Sequence, residues 1–267
     1  MRSASSKISS RPKKHLGQNF LINEHTIDRI ILNCGFQKDD VVLEIGPGLG
    51  ALTKRLAGKV KKVYAIETDR ELFETLQGQL SQESVELIKA DVLKYDFRKL
   101  PGNLKLVANL PYNISTPILE KLIDHISQFT AIFLTVQLEF GRRLAAQPNS
   151  KDYGSLSCFA QYHAEVKVLF KIPNSCFRPI PKVDSCFLKI QPRPAILPAR
   201  DEKALFQFIQ NAFQQRRKKI SNALGVSIAP EQLTPILQKL NLSENLRPEN
   251  LSLKNFVDIT NAWLETR

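Results

Sequence analysis

Asn109-Leu110-Pro111-Tyr112 is the stretch of this sequence whose residue types are best suited to act on a substrate. It follows the apolar run 104–108, which predicts a buried strand that ends in a sharp turn. The Asn109 carboxamide and the Leu110 carbonyl can accept both hydrogens of an amino group, while Tyr112 can stack on a planar base. None of these groups is a strong acid, base or nucleophile, so the reaction itself would be left to a cofactor. Taken alone, such a tetrapeptide is more often an ordinary strand-to-loop turn.

The ends of three earlier predicted strands carry residues that suit a nucleotide-like cofactor. The strand Val41–Ile45 leads into Gly46-Pro47-Gly48-Leu49-Gly50 and then a helix, an arrangement that lets a ligand approach the backbone closely. The next two strands end at Glu67, which could accept from ribose hydroxyls, and at Asp91, which could accept from an adenine amino group. Carboxyl ends of parallel strands are where ligands bind in an open sheet. The residues expected to share one cleft are therefore Gly46, Gly48, Glu67, Asp91 and Asn109.

The glycine turn alone does not distinguish a dinucleotide from S-adenosylmethionine. Gly46, Gly48 and Ala51 also fit the pattern G-x-G-x-x-A, and Glu67 lies about where a ribose-binding acid would be expected. Glu44 favours S-adenosylmethionine, because a carboxylate just before the glycines could serve the ammonium group of that cofactor directly or through water. NAD has no such group.

Two late strands, 165–172 and 184–190, are joined by a loop too short for a helical crossover. They are therefore predicted to pair antiparallel, so that the sheet ends in a hairpin. The loop between them contains Phe177 and three prolines that stiffen it. Phe177 is either a second aromatic wall over the cleft or a buried anchor of the loop.

A proline-rich linker, residues 191–200, separates this region from a C-terminal part whose periodicity is helical only. The apolar stripe from Leu205 to Ile220 predicts one long helix that carries four consecutive cations. A second basic helix is predicted to start at Gly141. The side chains expected to contact phosphate groups of a polyanionic partner are Arg142, Arg143, Arg216, Arg217, Lys218 and Lys219.

The chain of 267 residues carries 38 Lys and Arg against 26 Asp and Glu, a net charge of +12. This surplus indicates a polyanionic partner, and nucleic acid is favoured over a membrane because no basic amphipathic anchor and no bilayer-spanning apolar run is evident. The four cysteines and four histidines show no metal-binding spacing, so we expect buried thiols and no metal. Residues 1–14 resemble a disordered basic arm, with an organelle transit peptide as the alternative.

Five motifs taken together resemble one enzyme family. They are Gly17-Gln18-Asn19-Phe20-Leu21, Glu44-Ile45-Gly46-Pro47-Gly48-Leu49-Gly50, Asn109-Leu110-Pro111-Tyr112-Asn113-Ile114-Ser115, Phe177 with Arg178-Pro179-x-Pro181-Lys182-Val183-Asp184-Ser185, and Gln215-Arg216-Arg217-Lys218. From about His15 to the C-terminus, the sequence is similar to the small-subunit ribosomal RNA adenine N6,N6-dimethyltransferases. One departure is Asn23, where relatives often have an acid, and it concerns only the cap of the first helix.

The resemblance implies a Rossmann-like α/β methyltransferase domain over residues 15–190, with a mostly parallel seven-stranded sheet whose last strand is antiparallel. It also implies a small all-α, rRNA-binding domain over residues 201–267. In the family, two methyl groups are transferred to each of two adjacent adenosines near the 3′ end of small-subunit rRNA during assembly. The residues that the resemblance assigns to S-adenosylmethionine are Asn19, Leu21, Gly46, Glu67, Asp91 and Asn109.

The expected mechanism places a flipped adenosine between Tyr112 and Phe177, with its amine held by Asn109 and Leu110. We expect a cytoplasmic monomer. One alternative is a large-subunit rRNA adenine methyltransferase of the antibiotic-resistance type, against which the helical C-terminal part argues. DNA adenine or protein glutamine methyltransferases usually carry a second proline before the tyrosine. A non-catalytic alternative is an RNA-binding assembly or transcription factor built on an inactive core.

Overall fold

The computed structural model describes residues 12–13, 16–80, 83–195 and 198–266. Apart from Pro12 and Lys13, the basic arm predicted for residues 1–14 lies outside these ranges, and so does His15. The chain divides into two compact units, Met1–Leu138 with Val168–Ile190 and Glu139–Lys167 with Gln191–Arg267. The second unit thus contains residues 139–167, whereas the resemblance implies that they belong to the catalytic domain 15–190. The reason is packing, since Tyr153, Cys158 and Tyr162 are buried in the same apolar cluster as the C-terminal helices.

The strands form one seven-stranded sheet and one short two-stranded sheet. They are β1 (Phe20–Leu21), β2 (Val41–Ile45), β3 (Lys62–Glu67), β4 (Val85–Lys89), β5 (Leu104–Asn109), β6 (Phe129–Gln137), β7 (Ala164–Ile172), β8 (Phe177–Arg178) and β9 (Ser185–Pro192). The order in the large sheet is β4-β3-β2-β5-β6-β9-β7, and β1 pairs with β8 in the small one.

The large sheet is parallel from β4 to β6, and β9 runs antiparallel to β6. The predicted fold class, including the reversed last strand, is confirmed. Strands β2, β5 and β6 are apolar almost throughout and buried, as expected of a parallel sheet covered on both faces.

The register of β2 with its neighbours places the chemically important strand ends side by side. Ile45 lies opposite Ile66 of β3 and Ala108 of β5, so the next residue on each strand falls in one row. Gly46, Glu67 and Asn109 occupy that row. Because β3 and β5 flank β2 on opposite sides, this is the point of an open α/β sheet where ligands bind.

Four helices belong to the first unit among the residues described. They are α1 (Glu24–Cys34), α2 (Thr53–Leu56), α3 (Arg70–Gln79) and α4 (Ser115–Asp124). Asn23, the position that departs from the relatives, still caps α1, since its side chain accepts from the Thr26 amide. Helix α4 begins at Ser115, whose hydroxyl donates back to the Pro111 carbonyl rather than capping the helix.

The helices of the second unit enclose a separate apolar core. They are α5 (Leu138–Ala145), α6 (Ser155–His163), α7 (Glu202–Gln214), α8 (Ile220–Leu224), α9 (Pro230–Lys239) and α10 (Leu253–Leu264). The single long helix predicted through Ile220 was wrong. The α-helix α7 ends at Gln214, and the cations at 216–219 lie in the turn before α8. Arg216 is held within that turn by an ion pair with Glu249, a long-range contact that the helical periodicity of the apolar residues does not reveal.

The four cysteines are buried and free of disulfides, as predicted. Burial raises the pKa of Cys34 well above its usual range and that of Cys158 to about 12, so both stay protonated at neutral pH. Within the described ranges, no helix is both long and apolar enough to cross a bilayer.

Candidate active site

A single cavity in the first unit collects most of the residues that the sequence singled out. Its volume, including the open entrance, is about 760 Å³, and it lies at the carboxyl ends of the parallel strands. The predicted site residues that line it are Asn19, Gly46, Gly48, Glu67, Asp91, Asn109, Leu110 and Tyr112. Apolar side chains complete the walls, so a planar ligand could be buried with a few polar groups fixing its orientation.

The glycine turn after β2 is shaped so that backbone forms the floor of the cavity. Gly46 and Gly48 both have positive φ angles, +67° and +58°. A Cβ atom on Gly48 would stand 3.0 Å from the ring of Phe20. A side chain at this position would therefore be strained and would collide with the segment that covers the turn.

Glu67 is nearly buried at the end of β3 and is fixed by backbone amides. Its Oε2 accepts from the Gly48 amide at 3.1 Å and its Oε1 from the Asp69 amide at 2.8 Å. Burial raises the pKa of Glu67, and these two amide contacts partly offset that effect. Each carboxylate oxygen keeps acceptor capacity for a second donor, as binding of a diol requires.

Asp91 lies just after β4 and is only half-buried. Its Oδ1 accepts from the Leu93 amide at 2.9 Å, which fixes the side chain at the lip of the cavity. The second oxygen can accept from an exocyclic amino group, as the sequence predicted.

The carboxamide of Asn109 is oriented by the N-terminal segment, defined here as residues 16–21. Asn109 Nδ2 donates to the backbone carbonyl of Asn19 at 2.9 Å. Since a carbonyl only accepts, this bond assigns the nitrogen of the carboxamide and leaves Oδ1 as the acceptor. The adjoining Leu110 amide donates to the Thr135 carbonyl at 3.1 Å, and its own carbonyl precedes Pro111.

The N-terminal segment is itself held at the start of α3. Gln18 Nε2 and Lys13 Nζ both donate to the Asp69 carboxylate, each at 2.8 Å. Burial would raise the pKa of Asp69, but the hydrogen bonds from Lys13 and Gln18 outweigh it and lower the pKa. Sequence reasoning missed Asp69, although its place directly before a predicted helix marked it as a cap.

Tyr112 contributes a ring to the cavity from a 3₁₀ turn, Tyr112–Ile114. Its hydroxyl lies 2.7 Å from the hydroxyl of Ser185. Burial raises the pKa of Tyr112, with the Ser185 contact acting in the opposite direction, so the phenol is neutral at physiological pH. In the sequence, Ser185 ends the motif Pro181-Lys182-Val183-Asp184-Ser185, which by itself indicates no role for its hydroxyl.

Leu21 and Phe177 do not line the cavity, which corrects the sequence prediction for both. They lie opposite each other in the short β1–β8 sheet. Leu21 is 5% exposed and Phe177 has no exposed surface, because both pack into the apolar cluster of the first unit. Of the two interpretations offered for Phe177, the structure shows the buried anchor, and the second aromatic wall is not formed.

Glu44 lies beneath the glycine turn rather than at the cavity surface. It is 2% exposed, and its Oε2 has no hydrogen-bond partner. Burial raises the pKa of Glu44 to about 7, an effect that nearby Thr53 reduces and Glu67 increases. The carboxyl does not line the cavity, so direct contact with a ligand, one of the two options predicted, is not available in this structure.

The predicted RNA-contacting residues lie in the second unit and differ in solvent exposure and in their contacts. Arg142 and Arg143 are exposed on α5, and residues 217–219 are exposed in the turn between α7 and α8. Arg216 is half-buried, with Nε 2.6 Å from Glu249 Oε2 and Nη2 3.3 Å from the Ser150 carbonyl. Arg216 is therefore a structural residue of the turn, whereas its neighbours are accessible to a partner.

Comparison with known proteins agrees with this arrangement. A family model described as "Ribosomal RNA adenine dimethylase" matches residues 9–264. A protein of Clostridium acetobutylicum named "Ribosomal RNA small subunit methyltransferase A" is 40% identical over 259 residues, which cover 94% of this chain and 93% of that protein. A Gloeobacter violaceus protein of the same name is 42% identical over 258 residues, covering 95% and 94%.

Two solved structures share the fold over nearly the whole chain. A dimethyladenosine transferase from Plasmodium falciparum superposes with a TM-score of 0.80 at 25% identity, covering 90% of this chain and 95% of that one. The 23S rRNA methyltransferase ErmE superposes with a TM-score of 0.73 at 24% identity, covering 91% and 98%.

Proposed function

The chain belongs to the ribosomal RNA adenine dimethylase family, and we propose the particular reaction that it performs there. As a family member it is an enzyme, a methyltransferase that dimethylates adenine in ribosomal RNA. Within that activity, we propose that it adds two methyl groups to the exocyclic amine of each of two adjacent adenosines near the 3′ end of small-subunit rRNA. The substrate is the small subunit during its assembly.

The donor set of the cavity fits S-adenosylmethionine as the cofactor. Glu67 would hold the ribose hydroxyls, Asp91 the adenine amine, and the positive-φ glycines would let the ligand lie against backbone. The unpartnered oxygen of Glu44 beneath the turn suits a positively charged group reached through water. When bound, the cofactor supplies an electrophilic methyl group on a sulfonium.

The chain itself would hold the target amine in position. Asn109 Oδ1 and the Leu110 carbonyl are adjacent acceptors, and each would take one hydrogen of the adenine amine. Two such contacts direct the nitrogen lone pair out of conjugation with the ring and towards the methyl donor. No general base is needed before attack, since the amine becomes acidic only once it is methylated. Most of the acceleration would then come from alignment.

The second methyl transfer changes what the two acceptors can do. After the first transfer one hydrogen remains on the nitrogen, so one of the two contacts must be given up. The pocket must also accommodate a methyl group at that place. Because Tyr112 stacks on the base rather than bonding the amine, its contribution is the same in both rounds.

The observation that carries the proposal is the Asn19–Asn109 hydrogen bond. It fixes the carboxamide with its oxygen as the acceptor, in the same cavity as Glu67 and Asp91. A carboxamide whose donor side is already engaged suits an amine substrate, which needs acceptors. A non-catalytic RNA-binding protein would not require a carboxamide oriented in this way.

For the RNA partner, support comes from charge. The chain carries a net charge of +12, and the exposed cations of α5 and of the turn before α8 form no ion pair with any described residue, unlike Arg216. We propose that the second unit contacts rRNA phosphates through Arg142, Arg143, Arg217, Lys218 and Lys219.

The test is methylation of purified ribosomal subunits. Small and large subunits from cells that lack the corresponding dimethyladenosines are incubated with the protein and labelled S-adenosylmethionine, and the modified bases are mapped. We expect two dimethylated adjacent adenosines near the 3′ end of the small-subunit rRNA and no label in the large subunit. Label in the large subunit alone would refute the substrate assignment. Calorimetry with the cofactor separates an enzyme from an inactive core.

A further inference from the structure

Ser185 occupies a place in the sheet that only a reversed strand could provide. It is the first residue of β9, which runs antiparallel to β6 and pairs Ser185 with Gln137 at the carboxyl end of that strand. One strand further, Asn109 lies opposite Thr135 of β6. A parallel strand would present its last residue at this edge, whereas β9 presents its first, directly after the loop 179–184.

Ser185 is buried next to a well-anchored residue, and its hydroxyl contacts Tyr112. Ser185 has no exposed surface, and its Oγ is 2.7 Å from the Tyr112 hydroxyl. The preceding residue, Asp184, is fixed in three ways: its carboxylate accepts from the Asn174 amide at 3.0 Å and lies 2.6 Å from Lys171 Nζ, and its carbonyl accepts from the Leu138 amide at 3.0 Å. Ser185 is therefore attached to a firmly held end of β9, from which its hydroxyl reaches the Tyr112 ring.

Tyr112, by contrast, comes from an irregular segment. It begins a 3₁₀ turn of three residues without a side-chain cap, and it is only half-buried. A hydrogen bond at the phenol oxygen fixes the direction of the ring axis, which the short turn alone would leave less defined. A ring that stacks on a base must keep that direction, because stacking depends on the offset and tilt of the two planes.

We propose that Ser185 is a positioning residue for the methyl transfer, acting through Tyr112, whose ring it holds in the direction needed to stack on the target adenine. This inference rests on the proposed function, in which Tyr112 contacts the base. Ser185 does not line the cavity and touches neither substrate nor cofactor. The reversed last strand thereby has a catalytic consequence, since it brings a buried hydroxyl to the edge where the substrate enters.

The competing explanation is that the bond only stabilises the fold. A buried hydroxyl pair contributes to stability wherever it occurs, so thermal unfolding alone does not separate the two roles. Turnover does. RNA is held mainly by phosphate contacts, so a misdirected ring should leave the Michaelis constant for the subunit unchanged and lower the fraction of bound adenines that are aligned for reaction.

The experiment compares Ser185→Ala, Tyr112→Phe and the double variant in methylation of small subunits. Each single variant removes the bond from one end, and the Tyr112→Phe ring keeps its stacking surface. We expect kcat to fall about three- to tenfold in each, as the loss of one hydrogen bond implies. The double variant should fall no further than the single variants, because the same bond is lost only once. KM for the subunit and the dissociation constant for S-adenosylmethionine should stay within about twofold.

Thr260→Val is the matched control, since Thr260 is also fully buried and loses one hydroxyl bonded to the Phe256 carbonyl, in the second unit. It should lower the melting temperature without changing kcat. Unchanged kcat in Ser185→Ala, or additive losses in the double variant, would overturn the positioning role. If Ser185→Ala fails to fold, Tyr112→Phe decides alone. Wild-type protein without activity on small subunits would instead refute the proposed function, which keeps the two failures distinct.

Discussion

The side-chain amide of Asn109 donates to the backbone carbonyl of Asn19 across 90 residues of sequence, at 2.9 Å. This bond joins the end of β5 to the N-terminal segment, and that segment is held in turn by the Asp69 carboxylate at the start of α3. Asn109, which is proposed to accept a hydrogen bond from the target amine, is thus oriented by the N-terminal segment, the same segment that covers the glycine turn. The contact is to backbone, while the Asn19 side chain donates to the Gly17 carbonyl at 3.1 Å within the same segment.

Replacing Asn109 with alanine should abolish most turnover without unfolding the protein. The variant loses both the acceptor for the amine and the bond to Asn19, so we expect kcat on small subunits to fall more than about a hundredfold, as loss of an alignment contact implies. Asn109 and Asn19 are both half-buried, so the Asn19 carbonyl that loses this donor lies in a partly exposed residue. Single-turnover kinetics with saturating subunits measures the effect. Near-wild-type turnover would show that this carboxamide does not position the amine.

Tyr112→Ala should be less damaging than Asn109→Ala, because it removes one stacking contact. Stacking of a base on an aromatic ring contributes roughly 1–3 kcal/mol, so the loss should be about tenfold to a hundredfold. Tyr112→Leu, which fills similar volume without an aromatic face, is the control and should be nearly as impaired. Equal activity in the leucine variant and the wild type would argue against stacking on the target base.

Phe177 should behave as a core residue. Its ring has no exposed surface, so Phe177→Ala should destabilise the first unit by about 3–5 kcal/mol, a range typical of buried Phe-to-Ala changes. Phe177→Leu, which restores much of the volume, should recover both the melting temperature and kcat. A leucine variant that is stable but inactive would instead indicate that the ring leaves its cluster to contact the base during catalysis.

Glu44 should make the stability of the cofactor-free protein depend on pH. Its folded pKa is raised to about 7, mainly by burial, so the folded state binds a proton that the unfolded chain releases. Stability is then fully present below the usual carboxyl pKa and is lost as pH rises towards about 7. Glu44→Gln removes this dependence. The expected difference between pH 4.5 and pH 8 is on the order of 3 kcal/mol at most, smaller to the extent that Glu67 titrates with it.

Urea unfolding of the wild type and Glu44→Gln across that range measures the effect. A wild-type stability that rises between pH 5 and 7 relative to the variant would contradict the sign of the shift. Adding S-adenosylmethionine provides a second readout. If a positive group of the cofactor is served by Glu44 through water, the cofactor should stabilise the wild type more at pH 8 than at pH 6, and the variant equally at both.

The strand ends were predictable from the sequence because each follows a short apolar run bounded by glycine, proline or an acid. Gly46, Glu67, Asp91 and Asn109 lie at or just after such strand ends, so they were expected together, and they lie in one cavity. Local patterns determine where a buried strand must end, and a parallel sheet then aligns those ends.

Contacts between distant parts of the chain were not predictable in this way. Ser185 lies 73 residues from Tyr112, and nothing in its surroundings marks a positioning role. For Phe177 the sequence offered both an exposed and a buried interpretation, since an aromatic ring suits either. The end of α7 was misplaced because apolar periodicity continues to Ile220, while the turn is fixed by the ion pair of Arg216 with Glu249.

The cations of the turn before α8 are of two kinds, because Arg216 is paired with Glu249 while residues 217–219 are exposed. A titration of RNA binding against salt concentration should show the difference. Arg217→Ala removes an exposed cation, so the slope of log affinity for rRNA against log salt should fall by about 1. Arg216→Ala should mainly lower the melting temperature, because its guanidinium is already engaged by Glu249 and the Ser150 carbonyl. Arg98→Ala, which also removes one charge but from an arginine paired with Asp96 in the first unit, controls for net charge. If all three variants change the slope equally, RNA binding responds to total charge, and the turn before α8 is not a phosphate-contacting surface.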